Sequence, residues 1–205
     1  MKTNYVLIDY ENVQPSALAA LDQEHFQVLV FVGAQQTKIA IDVATALQPL
    51  GSRAQYVRIA SSGANALDFH IAFYIGQLAA REPDAYFHII SGDTGFDPLI
   101  QHLKSRHILA SRSRDVAEIP LVRAAQATSR DEKLAVIVTN LQQRGTAKPR
   151  TVATLSRTID ALFQHRLPEP EVAALVLSLR AQGVISIADT KVSYLSAGEH
   201  ATVTV

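Results

Sequence analysis

The sequence predicts an α/β fold: a parallel sheet with helices on both faces, followed by a small and mostly helical module. Three observations predict it. Uncharged apolar runs alternate with stretches of helical spacing through roughly the first 110 residues. The apolar runs are continuous, as in strands covered on both faces. Beyond about residue 130 the alternation stops, and three helical stretches lead to a hairpin signal.

The first strand is Tyr5-Val-Leu-Ile-Asp9, which ends on a carboxylate, and Asp9-Tyr-Glu11-Asn12 is the turn after it. Pro15 is expected to open a short helix to Leu21. Phe26 to Val32 is the second strand, broken by Gly33, and Lys38 to Leu47 carries apolar residues at helical spacing until Pro49-Leu-Gly51 stops it. Ala54 to Ile59 is the third strand. In the loop Ser61-Ser-Gly-Ala-Asn65, Asn65 stands as N-cap and Asp68 in the capping-box position of a helix to about Ala80. Tyr86 to Ile90 is the fourth strand, followed by the turn Ser91-Gly-Asp93-Thr-Gly95. Asp97 and Pro98, as N-cap and first helical residue, open a helix to about Lys104, and a short strand follows near His107 to Ala110.

Residues 111–130 are polar and weakly patterned, which gives the boundaries 1–114 for the first domain, 115–130 for a linker and 131–198 for the second domain. In the second, Glu132 to Leu141, Thr151 to Phe163 and 169–182 are helical. Val184 to Ala188 and Val192 to Leu195 form a hairpin around Asp189-Thr-Lys191, a winged-helix-like order.

Composition narrows the function classes. With no cysteine, disulfides and thiolate metal sites are excluded. Acids at Asp9 and Glu11 interrupt the only early apolar run, and no stretch is long enough to span a bilayer, so the expected location is cytoplasmic. The net charge of zero hides an uneven distribution. Residues 1–100 hold 5 bases and 10 acids, whereas residues 101–157 hold 11 bases and 4 acids. Metal-binding carboxylates followed by a phosphate-binding surface would give that division, as would ordinary solvated faces.

Right-handed crossovers place every strand-to-helix loop on one edge of a parallel sheet, and ligands bind at that edge. Asp9, Asp68, Asp93 and Asp97 all fall there. Asp68 and Asp97 also suit a helix N-terminus, and Asp93 suits a turn, but a carboxylate closing an apolar strand, as Asp9 does, has no capping role. Four converging carboxylates cannot all stay ionised alone, and a hard cation such as Mg²⁺ relieves the repulsion. Asn12 can add a neutral oxygen, while the Glu11 side chain can leave its turn in either direction.

Other motifs fail. Gly33-Ala-Gln-Gln-Thr-Lys38 lacks the second glycine and the Lys-Ser/Thr pair of a phosphate-cradling loop, although Lys38 can still meet a phosphate. There is no nucleophile elbow, the seven histidines show no zinc spacing, and His88 reads as a core residue. A phosphoacceptor sheet would want Asp-x-Asp after the first strand, where this chain has Asp9-Tyr-Glu11. The bases Lys104, Arg106, Arg112 and Arg114 follow the acidic edge in sequence and would hold the phosphates of a single-stranded nucleic acid. The third helix of the small domain is poor in base, with Arg180 against Glu169 and Glu171, which disfavours major-groove DNA reading.

Three motifs taken in order, Tyr5-Val-Leu-Ile-Asp9-Tyr-Glu-Asn12-Val, Asn65-Ala-Leu-Asp68 and Ile90-Ser-Gly-Asp93-Thr-Gly-Phe-Asp97-Pro-Leu, resemble the PIN-like ribonucleases of the NYN type and their bacterial relatives. The resemblance covers about residues 4–112. It implies a Rossmann-like fold, Mg²⁺ or Mn²⁺ at the acid cluster, and hydrolysis of RNA phosphodiester bonds by metal-activated water. By position it implies Asp9 and Asp93 as metal ligands, Asp68 as the acid opening the helix after the third strand and Asn12 as the polar residue after the first acid. Asp97 is taken with these acids as catalytic and metal-holding, and Ser91 and Thr94 with Asn12 in support. Many NYN members carry an acid where this chain has Gly95. Either Asp97 substitutes, or the metal count falls, or the domain is a catalytically weak RNA-binding module. The C-terminal part resembles the LOTUS-like winged-helix modules found beside some NYN nucleases, with RNA or a protein as its partner.

Overall fold

The computed structural model describes residues 2–60, 63 and 65–194 of the chain. The described residues divide into two compact units, one up to Val122 and one from Arg123 onward. The expected loop residues Ser61, Ser62 and Ala64, and Leu195 at the end of the expected hairpin, lie outside the described residues, as do 196–198 of the expected second domain. Among the described residues no helix is long and apolar enough to cross a membrane.

The first unit is built on five strands, β1 (Asn4–Asp9), β2 (Phe26–Val32), β3 (Ala54–Arg58), β4 (Tyr86–Ile90) and β5 (Leu109–Ser113). All pairings are parallel, in the order β3-β2-β1-β4-β5. Every residue of β1 is buried, because this central strand is covered on both faces. Alternation divides its side chains. Tyr5 and Leu7, with Leu29, Phe31, Phe87 and Ile89, face helices α2 (Ala66–Arg81) and α3 (Phe96–Ser105), which contribute Leu67, Ile71, Ile75, Phe96, Ile100 and Leu103. Val6 and Ile8, with Val28, Val30, Val32 and Ile90, face a 3-10 turn at Leu18–Leu21 and helix α1 (Ile41–Leu47). Burying each of these large side chains contributes ~1.5–3 kcal/mol.

Three expectations change at element ends. The turn after β1 forms only over Leu18–Leu21, so Pro15 opens no helix. Asn65 precedes α2 in a left-handed conformation (φ 59°) that asparagine tolerates, and its side chain makes no capping bond. Gly95, rather than Asp97, is the N-cap of α3, so Asp97 and Pro98 lie inside its first turn.

The stretch 115–130, expected as a linker, is folded. A 3-10 turn at Val116–Glu118 leads to α4 (Pro120–Gln126), and Val116, Ile119 and Val122 are buried in the same core as β1, β2 and α1. Asp115 fastens this segment. Its carboxylate accepts from the Ser16 amide at 2.9 Å, the Ser16 hydroxyl at 2.8 Å and the Ala117 amide at 2.8 Å. Burial alone would raise the Asp115 carboxyl, and these three bonds outweigh it and hold it below the usual carboxylate range.

The second unit contains α5 (Arg130–Gln143), α6 (Val152–Leu162), α7 (Glu169–Ala181) and an antiparallel hairpin of β6 (Ile185–Ala188) and β7 (Lys191–Tyr194). Two capping boxes set its helix starts, Ser129 with Glu132 and Thr151 with Thr154. Its interior is Leu134, Ile137, Leu155, Ile159, Leu175 and Leu179, all buried. Three helices and a small antiparallel sheet are compatible with the expected order of elements.

Candidate active site

The strand order 3-2-1-4-5 reverses direction between β1 and β4, and a crevice opens beyond the carboxyl ends of strands at such a switch point. Asp9 ends β1 there. Ile8 pairs with Ile90, so the next residues, Asp9 and Ser91, stand level. Asp9 is on the face that carries α2 and α3, and it is only 3 % exposed. A buried carboxylate needs donors. The Ser91 hydroxyl donates to its Oδ2 at 2.8 Å and the Asn12 amide to its Oδ1 at 3.2 Å. Burial pushes the Asp9 carboxyl up more than these two bonds pull it down.

Ser91 joins two acids. While its hydroxyl donates to Asp9, its Oγ accepts from the Asp93 amide at 3.0 Å. The Asp93 carboxylate then accepts from the Gly95 amide at 2.7 Å, which shapes the turn into α3. Asn12 reaches the same turn, since a Cβ placed on Gly92 would stand 3.0 Å from its Oδ1. Asp68, on the first turn of α2, is the third acid. Its carboxyl is raised by burial first, then by the negative charge of Asp9 and of Asp93. Among the described residues no lysine or arginine pairs with Asp9, Asp68 or Asp93.

Asp97 is placed differently. Arg112 binds both its oxygens, Nε to Oδ1 at 2.8 Å and Nη2 to Oδ2 at 3.2 Å. That pair holds the Asp97 carboxyl below its ordinary range. Arg112, expected to meet phosphate, is committed to Asp97 and donates also to the Ser91 carbonyl at 3.2 Å. Thr94, expected in support, is exposed, and its carbonyl accepts from the Asp97 amide at 2.9 Å.

The other expected phosphate contacts separate by height. Helix α3 starts at the acidic edge and runs down for ten residues, about 15 Å at 1.5 Å per residue. Lys104 and Arg106 therefore sit at the opposite edge of the sheet and cannot line the acids. Arg114, just past the end of β5, and Lys38, in the loop after β2, are exposed at the acidic edge. The sequence reading passed over two residues there. Arg58 ends β3 and is exposed, and Phe69 follows Asp68 with 69 % of its surface open. An exposed phenylalanine beside a site acid, two residues from both Leu67 and Ile71 of the buried stripe of α2, is a signal the sequence contained.

The donor set is all oxygen and carries three acids that form no salt bridge among the described residues, which fits a hard divalent cation taking one or two direct carboxylates and otherwise water. Among the described residues no three Asp, Glu or His side chains stand close enough to grip an ion between them. The cluster so placed suits a largely hydrated ion better than a closed protein cage.

A parallel sheet in this order, with helices on both faces, is an architecture that binds its ligands, nucleotides among them, at the switch point where these acids stand. The chain matches the family model of the PIN domain over residues 3–113, and it belongs to the PIN-domain family. PIN domains are in general nucleases with RNA-related functions, and they usually use divalent metal ions. The match ends on the last residue of β5. Comparison with curated proteins and with solved structures gave no match.

Proposed function

We propose that the chain is a metal-dependent ribonuclease of the NYN type that hydrolyses phosphodiester bonds of single-stranded RNA. The observation that carries this reading is that Asp9 and Asp93, from two other chain segments, act on Asp68 at the switch point, with no salt bridge to any of the three among the described residues. Mg²⁺ or Mn²⁺ is the proposed cofactor, a Lewis acid that makes water nucleophilic near neutral pH and offsets charge on a phosphodiester. Asp9 and Asp93 would hold it directly, and Asp68 would complete the negative site. Ser91 fixes the spacing of the first two through its paired hydrogen bonds. Asn12 orients water or a phosphate oxygen from the neighbouring turn. Asp97 keeps Arg112 in place and so shapes the Ser91 turn.

RNA would lie across the acidic edge with phosphates on Lys38, Arg58 and Arg114 and a base against the open ring of Phe69. The second unit is proposed as a winged-helix-like, LOTUS-like accessory module. Its basic side chains gather at the α5–α6 connection, where Lys148 lies 5.0 Å above the Tyr194 ring, rather than on α7. Purified protein with Mn²⁺ should cut unstructured RNA, and Asp93→Asn should stop it. Equal cleavage by both proteins would remove Asp93 from the site. Calorimetric titration with Mn²⁺ separates the alternative, an RNA-binding module without chemistry, which would give no heat.

A further inference from the structure

A cavity of about 300 Å³ opens beside the three acids, lined among others by Glu11, Gly33, Ala34, Gln35, Ile59 and Leu67. It is bracketed by the site itself, for Glu11 stands two residues after Asp9, and Leu67 directly precedes Asp68. Ile59 and Leu67, both buried, close its base. Among the described residues that line it, Glu11 brings a carboxylate and Gln35 an amide.

The position of Glu11 is built into the backbone. Asp9 pairs with Phe31 across β1 and β2, so two residues further on Glu11 comes level with Gly33. Its side chain lies flat over that glycine, and a Cβ on Gly33 would fall inside the carboxylate. Among the described residues no basic group pairs with Glu11. It is an acceptor-only group beside a small, largely polar cavity, next to the place where a phosphodiester would be cut.

We propose that this cavity is a nucleobase subsite that prefers guanine. The inference rests on the ribonuclease reading of the neighbouring acids and adds the base flanking the cut. Single-stranded RNA is read on exposed base edges. A carboxylate only accepts, with two oxygens side by side. Guanine offers two adjacent donors, N1–H and the 2-amino group, on one edge. Adenine and cytosine each offer one amino group beside an acceptor, and the single N–H of uracil lies between two carbonyl oxygens that Glu11 would repel. Gln35 can meet a purine nitrogen or carbonyl.

The test is binding of the four ribonucleoside monophosphates to the full chain without metal, followed through the amide resonance of Gly33. Guanosine monophosphate should bind at least about tenfold more tightly than the others, the effect of one charge-assisted hydrogen bond. Glu11→Gln should remove that preference, because the amide replaces one acceptor by a donor. Gly33→Ala should remove it too, by displacing the carboxylate while leaving Glu11 in the chain. Equal affinity for the four nucleotides, or a guanine preference that survives Glu11→Gln, overturns the proposal. So does loss of Mn²⁺ binding in Glu11→Gln, which would make Glu11 part of the metal site. Guanine binding in a protein that never cuts RNA would sink the nuclease reading and keep the subsite. Cutting without base preference would do the reverse.

Discussion

Arg112 forks onto Asp97, with Nε and Nη2 on the two carboxylate oxygens at 2.8 and 3.2 Å, while Nη1 reaches back to the Ser91 carbonyl at 3.2 Å. One guanidinium thus ties the first turn of α3 to the loop that carries Asp93. Asp97 is in a salt bridge with Arg112, whereas Asp93, within electrostatic reach of the same guanidinium, forms no salt bridge among the described residues. The two acids should therefore respond differently to loss of charge. Asp93→Asn should abolish Mn²⁺ binding by calorimetry. Asp97→Asn should leave binding measurable and weaken it about 10–100-fold, the usual effect of disturbing a group that orients a ligand. Equal loss in both would make Asp97 a direct ligand.

Ser91 offers a sharper test of the same arrangement, because it bridges two acids with one oxygen. Ser91→Ala leaves Asp9 buried without its hydroxyl donor and frees the Asp93 amide. Mn²⁺ affinity should fall about 10–100-fold while the fold survives. Ser91→Thr keeps the hydroxyl and should recover part of it.

Gly95 stands where the resemblance to NYN nucleases would place an acid. Its backbone is ordinary right-handed helix (φ −56°), so any residue can stand there without strain. A Cβ would come 3.2 Å from Asp93 Oδ1, a crowding relieved by a few tenths of an ångström of movement. Gly95→Asp should keep the Gly95 amide bond to Asp93, add a carboxylate beside it and tighten Mn²⁺ binding several-fold, since ligand charge sets affinity at such sites. Unchanged affinity would show that the added carboxylate does not reach the ion.

The strands and the three converging acids were legible because both follow from period and chain direction. Continuous apolar runs meant burial on both faces, and crossover handedness put Asp9, Asp68 and Asp93 at one edge. Asp97 was not legible, since its partner Arg112 lies on β5 and only packing brings the two together. Lys104 and Arg106 were legible and misplaced: a helix that starts at the acidic edge carries its last turn to the other one. The segment after β5 hid its core residues, Val116, Ile119 and Val122, by spacing them three apart within a polar run.

That hidden segment should matter for folding. Ile119 is fully buried against the β1–β2 face, and Ile119→Ala should cost about 2–5 kcal/mol in denaturant unfolding of the first unit. A chain ended after Arg114 should be less stable still, having lost all three apolar residues and the Asp115 bonds to Ser16. A chain ended there with undiminished stability would restore the reading of 115–130 as a linker.

The last expectation concerns His88, in the middle of β4. Its ring is 4 % exposed, and its Nε2–H donates to Asn4 Oδ1 at 3.0 Å, in the tautomer chosen because the Asn4 amide nitrogen donates to the Lys2 carbonyl. Burial pushes the imidazole down to about 3, from an ordinary value of 6.5. In the unfolded chain it titrates near that ordinary value. Between pH 6.5 and 3 the unfolded state therefore binds the extra proton, and stability rises with pH there. Stability should be complete above pH 6.5 and fall on acidification, with a slope approaching 1.4 kcal/mol per pH unit from this one group. Carboxylates join below about pH 5, so the diagnostic window is pH 6.5 to 5. His88→Gln keeps a donor for Asn4 and removes the titration, so urea midpoints of that variant should be nearly flat across the window. A variant with the same slope as the parent would mean that the acid sensitivity arises elsewhere and that His88 is not held neutral.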